Sequence, residues 1–362
     1  MSRKSPTDRF PGRRIAAIGS LILAVIACSD PAPGTALDAS VEKSPPPAPD
    51  AGDGGIEGPM RLSETGLYLD LPSRTPAADV REYDVRYPLW ADGAEKKRFL
   101  YLPPGTKIDT TSMDDWALPL GTKAWKQFTR DGVVVETRLM WKKPEGWFEM
   151  AYVWLADGTD AIAAPLGQKN ARGTTHDVPP QIQCRGCHDN VADRLIGVSA
   201  IQLSNGGAGL LSKLASEGRL TKAPAAELEI PGNPIERAAL GYLHGNCGHC
   251  HNDASQLDEQ TKMRLRVLTT ELTPQEAGPF RTGVGLKMVH EIPPDVLDVL
   301  VPGDAMKSGL YVRAIRRDGY GMPPIGTKAI DPDGAAKIRA WIEATGDAGT
   351  VSDGGASDTG AD

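Results

Sequence analysis

Four cysteines fall into two pairs of one form, Cys184-Arg185-Gly186-Cys187-His188 and Cys247-Gly248-His249-Cys250-His251. Such thiols can bridge as disulfides in an oxidising compartment, ligate zinc as a Cys₄ set, or cycle as a redox Cys-x-x-Cys pair. None of these uses explains the histidine that closes each pair. Only 6 of 362 residues are His, so chance places one directly after both pairs with a probability of roughly 3 × 10⁻⁴ against a motif that demands it. Zinc is further disfavoured by spacing: about 60 residues part the two pairs, whereas zinc ribbons hold theirs about 15–20 apart.

Cys-x-x-Cys-His is the attachment signature of c-type haem, in which two thiols add to the porphyrin vinyl groups and the adjacent imidazole ligates iron. Two residues between the thiols let one helical turn bridge the vinyls, and the next side chain then points at the metal. The expectation is two covalently attached haem c groups, one on Cys184, Cys187 and His188 and one on Cys247, Cys250 and His251, with His188 and His251 as iron ligands. Downstream, Gly319-Tyr320-Gly321-Met322-Pro323-Pro324 presents a thioether in a stiff loop whose Gly and Pro residues argue against an ordinary core helix or strand position, the alternative being core or loop packing. Met322 is therefore expected as the second axial ligand of the later haem, where a thioether favours ferrous iron and raises the potential.

A helix must carry the second motif. Asn233-Pro234-Ile235-Glu236 has a capping amide, Pro at the first helical position and Glu at the third, and Ile235, Ala238, Ala239, Tyr242 and Leu243 form one apolar stripe. Asp331-Pro332 opens another helix, with the stripe Ile338, Trp341 and Ile342 and Gly346 placed to stop it. Gly241 facing Trp341 would let the two helices cross closely. With the Met-Pro-Pro loop between them, residues 231–345 resemble a class I cytochrome c domain, and Val301 to Arg313 resembles the segment before the methionine in bacterial electron-carrier domains of that type. An insertion is expected near residues 265–300.

The first half reads as β-structure. All but one of the seven Trp lie between Trp90 and Trp154, among alternating runs such as Val133–Trp141 and Trp147–Trp154, punctuated by turns at Asp131-Gly132 and Pro144-Glu145-Gly146. No P-loop, Rossmann glycine pattern, HExxH or GxSxG interrupts them. A sheet followed by Cys-x-x-Cys-His, with Leu118-Pro119-Leu120-Gly121-Thr122 before Lys126 and Phe128, resembles cytochrome c′-β and the lysine-crosslinked haem cytochromes that oxidise hydroxylamine. Lys123 and Lys126 themselves read as solvent-facing strand residues, since lysine is rarely buried. Residues 80–345 as a whole resemble a family of bacterial dihaem c-type cytochromes, carrying Tyr87-Pro88-Leu89-Trp90-Ala91-Asp92-Gly93-Ala94-Glu95-Lys96 and both haem motifs in family order. The sixth ligand of the first haem stays open among His176, His244, His290, Met140 and Met150. His249 reads as solvent-facing or near a propionate.

The ends complete the organisation. Arg13 and Arg14 precede the apolar run Ile15–Ala27, a signal-peptide core shorter than the ~20 residues of a bilayer span, and Val25-Ile26-Ala27-Cys28 resembles the lipobox of bacterial lipoproteins, which implies lipidation of Cys28. The expected divisions are a signal peptide (1–27), a disordered Pro/Ala/Gly/Asp tether (28–59), an antiparallel β domain (60–170), a first haem segment (171–230), the cytochrome-like domain (231–345) and a disordered acidic tail (346–362). The fold class is α+β: an antiparallel β-rich domain followed by an all-α, class I cytochrome c-like domain. Net charge is −7, concentrated in the two ends, which argues against nucleic-acid binding. These features imply an electron carrier of the bacterial envelope, lipid-anchored and facing the periplasm, that exchanges electrons with a redox protein. The alternative is a peroxidase-like or nitrogen-compound haem enzyme whose first haem is open and whose second relays electrons.

Overall fold

A computed structural model describes residues 57–207, 209–255, 261–292 and 295–347, all within one compact unit, Gly54–Asp362. Cys28, the signal peptide, most of the tether and all but the start of the acidic tail lie outside the described residues. Among the described residues no helix is long and apolar enough to cross a membrane. The architecture is α+β.

A short ribbon, β1 (Tyr68–Asp70) and β2 (Thr75–Pro76), precedes a six-stranded antiparallel meander of β3 (Val80–Tyr83), β4 (Glu95–Tyr101), β5 (Lys123–Arg130), β6 (Val133–Lys143), β7 (Gly146–Trp154) and β8 (Ala161–Ala163), paired in chain order. The β5–β6 hairpin closes through Asp131 and Gly132, both at positive φ (51° and 76°), as tight hairpin turns between right-twisted strands require. The two faces differ in what covers them. Phe99, Trp125, Leu139, Met150, Tyr152 and Trp154 pack with Leu62, Leu67 and Tyr68, so the segment before the sheet covers one face. Leu100, Ala124, Met140 and Trp147 on the other pack against Val198, Leu203, Leu210, Leu211, Leu214 and Leu220.

Burial on both sides overturns the expectation that Lys123 and Lys126 face solvent. Lys123 is half-buried, donates to the Thr65 carbonyl (2.8 Å) and lies over the Trp141 ring; Lys126 is half-buried on the opposite face. Order also begins earlier than expected. Residues 57–59, read as tether, meet the sheet, where the Tyr152 hydroxyl donates to the Pro59 carbonyl (2.8 Å).

The covering segment holds α1 (Arg185–His188), α2 (Ala200–Leu203) and α3 (Leu210–Ser216), followed by α4 (Pro234–Asn246), α5 (Gly278–Gly283), a ribbon of β9 (Lys287–Ile292) and β10 (Val296–Asp298), α6 (Gly309–Ala314) and α7 (Pro332–Asp347). Helix α5 and this ribbon occupy the stretch near 265–300 where an insertion is expected, and the ribbon means that residues 231–345 are not all-α as expected. The cap of α4 forms as read: the Asn233 carboxamide oxygen accepts from the N–H groups of Ile235 (2.9 Å) and Glu236 (3.1 Å), and Glu236 accepts from the Asn233 N–H (2.8 Å). Helix α7 runs on through Gly346 instead of stopping there.

Helices α4 and α7 cross over a core of Ala239, Leu240, Leu243, Ile338, Trp341 and Ile342, each at most 1% exposed. Burying the Leu and Ile side chains among them contributes about 1.5–3 kcal/mol apiece. The small residue at the crossing is not Gly241. A Cβ on Gly241 would overlap the Tyr87 ring, and it is Gly334 of α7 that lets the Tyr242 ring of α4 approach. The segment Tyr87 to Lys96 thus straps sheet to helices: Tyr87 sits on Gly241, and the Trp90 N–H donates to the Asn246 carboxamide at the end of α4 (2.6 Å).

Candidate functional site

The two Cys-x-x-Cys-His segments meet. Cys187, His249 and Cys250 have their donor atoms within 4.8 Å of one another, although the pairs lie far apart in sequence. Two asparagines staple the segments. The Asn252 carboxamide donates to the Asn190 carbonyl (3.0 Å), and the Ser255 hydroxyl to the Asn190 carboxamide oxygen (3.0 Å). Each asparagine also ties back to its own motif, Asn190 to the Gly186 carbonyl (2.9 Å) and Asn252 to the Gly248 and His249 carbonyls (2.9 and 3.0 Å).

Each motif is formed by one helical turn. Cys184 stands before α1, and the His188 N–H bonds to the Cys184 carbonyl (3.0 Å); Cys247 follows α4, and the His251 N–H bonds to the Cys247 carbonyl (2.9 Å). All four thiols are unbridged and half-buried. Hydrogen bonding to Cys250 and His249 holds the Cys187 thiol well below its usual range, and the same bond pushes Cys250 up. Burial alone pushes Cys247 up to about 12.

The two motif histidines are held differently. His188 shares Nδ1 with the Arg194 carbonyl (2.5 Å), which leaves Nε2 as the metal-binding nitrogen. Arg194 has φ 60° and forms ion pairs with Glu149 (3.0 Å) and Asp189 (2.5 Å); its neighbour Asp193 accepts from Lys142 Nζ (2.7 and 2.8 Å), the Leu118 N–H (2.5 Å) and the Trp147 indole (3.2 Å). The sheet therefore sets the position of His188. His251 Nδ1 is buried with no hydrogen-bond partner. Burial lowers both imidazoles, to about 3 for His188 and about 4 for His251, so both are neutral at pH 7. Four reduced thiols and two neutral imidazoles in two turn-closed motifs fit two thioether-linked haems.

Met322 sits between two anchors. Its N–H donates to the Arg313 carbonyl (2.9 Å) and its carbonyl accepts from Arg317 (3.1 Å); beyond the two prolines, Asp92 accepts from the Thr327 hydroxyl and from the N–H groups of Lys328 (2.9 Å) and Ala329 (3.0 Å). The Trp90 indole adds a bond to the Ala329 carbonyl (3.2 Å), and Lys328 pairs with Asp177 (2.9 Å). Ile325 of this loop lies against Gly186 of the first motif.

The other expected candidates separate. His176 is buried and bonds Glu136 (2.7 Å). His244 is buried with Nδ1 accepting from the Val267 N–H (3.2 Å). His290 is exposed on β9, Met140 is in the core beneath α2 and α3, and Met150 belongs to the far face of the sheet. His249 is not solvent-facing: it is 9% exposed, between the two motifs, with Nδ1 unpartnered.

A polar field on the sheet escaped the sequence reading. Arg98, Lys126 and Arg138 stand directly opposite one another across β4, β5 and β6, with Lys96 and Glu136 beside them. Glu136 is fully buried and binds both Arg138 (2.6 and 3.0 Å) and His176. Lys126 and Arg138 lie close enough to Cys187 to feel its charge, and Arg138 that of Cys184. Strand register alone brings these groups together, and register is not written in any local motif. Comparisons with protein-family models, with curated proteins and with solved structures return no match.

Proposed function

We propose that this chain is a dihaem c-type cytochrome that carries single electrons, with a class I cytochrome c-like domain over residues 231–345. Cys184, Cys187 and His188 would hold one haem, and Cys247, Cys250 and His251 the other, with Met322 as a further ligand to the second. Haem iron, when bound, supplies a one-electron couple. The observation that carries the reading is the contact between the motifs: with Cys187 and Cys250 within 4.8 Å, groups attached to them would be near neighbours, as rapid exchange of an electron requires. Asn190 and Asn252 fix that spacing, and Asp193 with the Arg194 carbonyl fixes the imidazole of His188. Lipidation at Cys28 would tether the protein to a membrane of the bacterial envelope, facing the periplasm, where a redox protein serves as donor or acceptor.

A second reading, a haem enzyme open at its first haem, is favoured by one feature. Lys126 and the buried Glu136–His176 pair lie on the sheet face that the first motif covers, where they could hold a substrate and move its proton. The optical spectrum of the reduced protein separates the two. An electron carrier shows two low-spin haems indifferent to carbon monoxide; a high-spin component that shifts with carbon monoxide or cyanide would transfer the proposal to the enzyme.

A further inference from the structure

The row Arg98–Lys126–Arg138 conflicts with its own chain. Like charges directly opposite on neighbouring strands repel, and burial deepens the cost. Arg98 is 7% exposed, and Lys126 and Arg138 are half-buried. The available acids do not balance them. Glu136 is already shared by Arg138 and His176; Asp84 and Tyr83 act on Arg98 only through space, as Asp331 does on Lys96. Glu149, farther along this face, pairs with Arg194. Among the described residues no carboxylate lies within ion-pair distance of Lys96, Arg98 or Lys126, and Lys96 donates instead to the Leu89 carbonyl. Desolvation and the three neighbouring cations press Lys126 far below the ordinary lysine range.

We propose that this row is an anion site: Arg98, Lys126 and Arg138 form a cradle for a carboxylate or small oxyanion seated between the sheet and the first Cys-x-x-Cys-His segment. An anion there offsets the repulsion across both neighbouring pairs of the row and accepts hydrogen bonds from Arg98 and Lys126, which have no carboxylate partner among the described residues. Two sources share this chemistry. One is the propionate edge of a haem attached at Cys184 and Cys187, a source that rests on the function proposed above. The other is a free small anion from solution.

The test uses the full-length holoprotein with Arg98→Gln and Lys126→Gln, and Lys97→Gln as control, because Lys97 is exposed on the opposite face. Nitrite is the probe. If the source is propionate, both variants shift the midpoint potential of one haem downward, leave the other unchanged, and show no nitrite dependence. If the source is a free anion, the wild type binds nitrite saturably by calorimetry and Lys126→Gln weakens that binding at least tenfold. Lys97→Gln does neither. The proposal is overturned if Lys126→Gln folds with higher thermal stability, unchanged potentials and no loss of nitrite binding, since relief of repulsion would then be the whole effect. A preparation without haem absorbance would eliminate the propionate source and the functional reading together, while nitrite binding could still be measured.

Discussion

Replacing Asp92 by Ala should release the methionine loop without unfolding the protein. The Asp92 carboxylate, itself half-buried, accepts from the Thr327 hydroxyl and the N–H groups of Lys328 and Ala329. Bonds to a charged acceptor contribute about 1.5–3 kcal/mol each, but the three are not additive, and solvent screening reduces them. A local loss of about 2 kcal/mol is expected, which is roughly a 30-fold rise in the open population of the loop. Amide hydrogen exchange should report this directly: N–H groups of residues 325–329 exchange roughly 30-fold faster, while those of Leu240 and Leu243 in α4 keep their wild-type rates. Burial works against the charge of Asp92, but the bonds from Thr327, Lys328 and Ala329 outweigh it and hold its carboxyl below the usual range. A depressed carboxylate stabilises fully above its unfolded pKa of about 3.9, and the contribution disappears as pH falls through the folded value. The wild-type loop should therefore loosen only in acid, and Asp92→Asn should lack that dependence. Unchanged loop exchange, or equal acceleration in α4, would refute the clamp.

Other outcomes follow from the same contacts. Met322→Ala should remove the sulfur-to-iron charge-transfer band of one ferric haem and lower its potential while leaving the other haem's spectrum intact; a surviving band would deny the ligand. Asp193→Ala strands Lys142 and the Trp147 indole in a largely buried setting, costing about 3 kcal/mol in urea unfolding; a change below about 0.5 kcal/mol would remove Asp193 from the frame behind His188. Gly334→Ala gains about 1 kcal/mol of helix propensity but drives a methyl into the Tyr242 ring, an overlap costing about 1–3 kcal/mol. It should lower the melting temperature where Gly207→Ala, with open space around it, does not.

How far the sequence could be read depended on whether a feature is local. The Asn233 cap, the Asp131-Gly132 hairpin and the stripe of Ile338, Trp341 and Ile342 each depend on residues a few places apart, and each formed where expected. Lys126 was misread because alternation assigns a solvent face only to a sheet with one bare side, and the segment carrying the first Cys-x-x-Cys-His motif covers the second side here. The solvent-facing reading of His249 failed for a similar reason: its ring meets Cys187 of the other motif, more than fifty residues upstream. Gly241 was matched to Trp341 when Tyr87, from the strap between β3 and β4, takes that space. The cationic row needed the β4–β5–β6 register, which cross-strand pairing alone supplies.

Intact-mass analysis of the protein, produced in a bacterial host that matures c-type cytochromes, tests the central claim most directly. The proposal predicts a polypeptide heavier by two haem groups that survive denaturation, falling to one in Cys184→Ser/Cys187→Ser and likewise in Cys247→Ser/Cys250→Ser. A matured chain carrying no covalent haem, with its four thiols free, bridged or holding zinc, would contradict it.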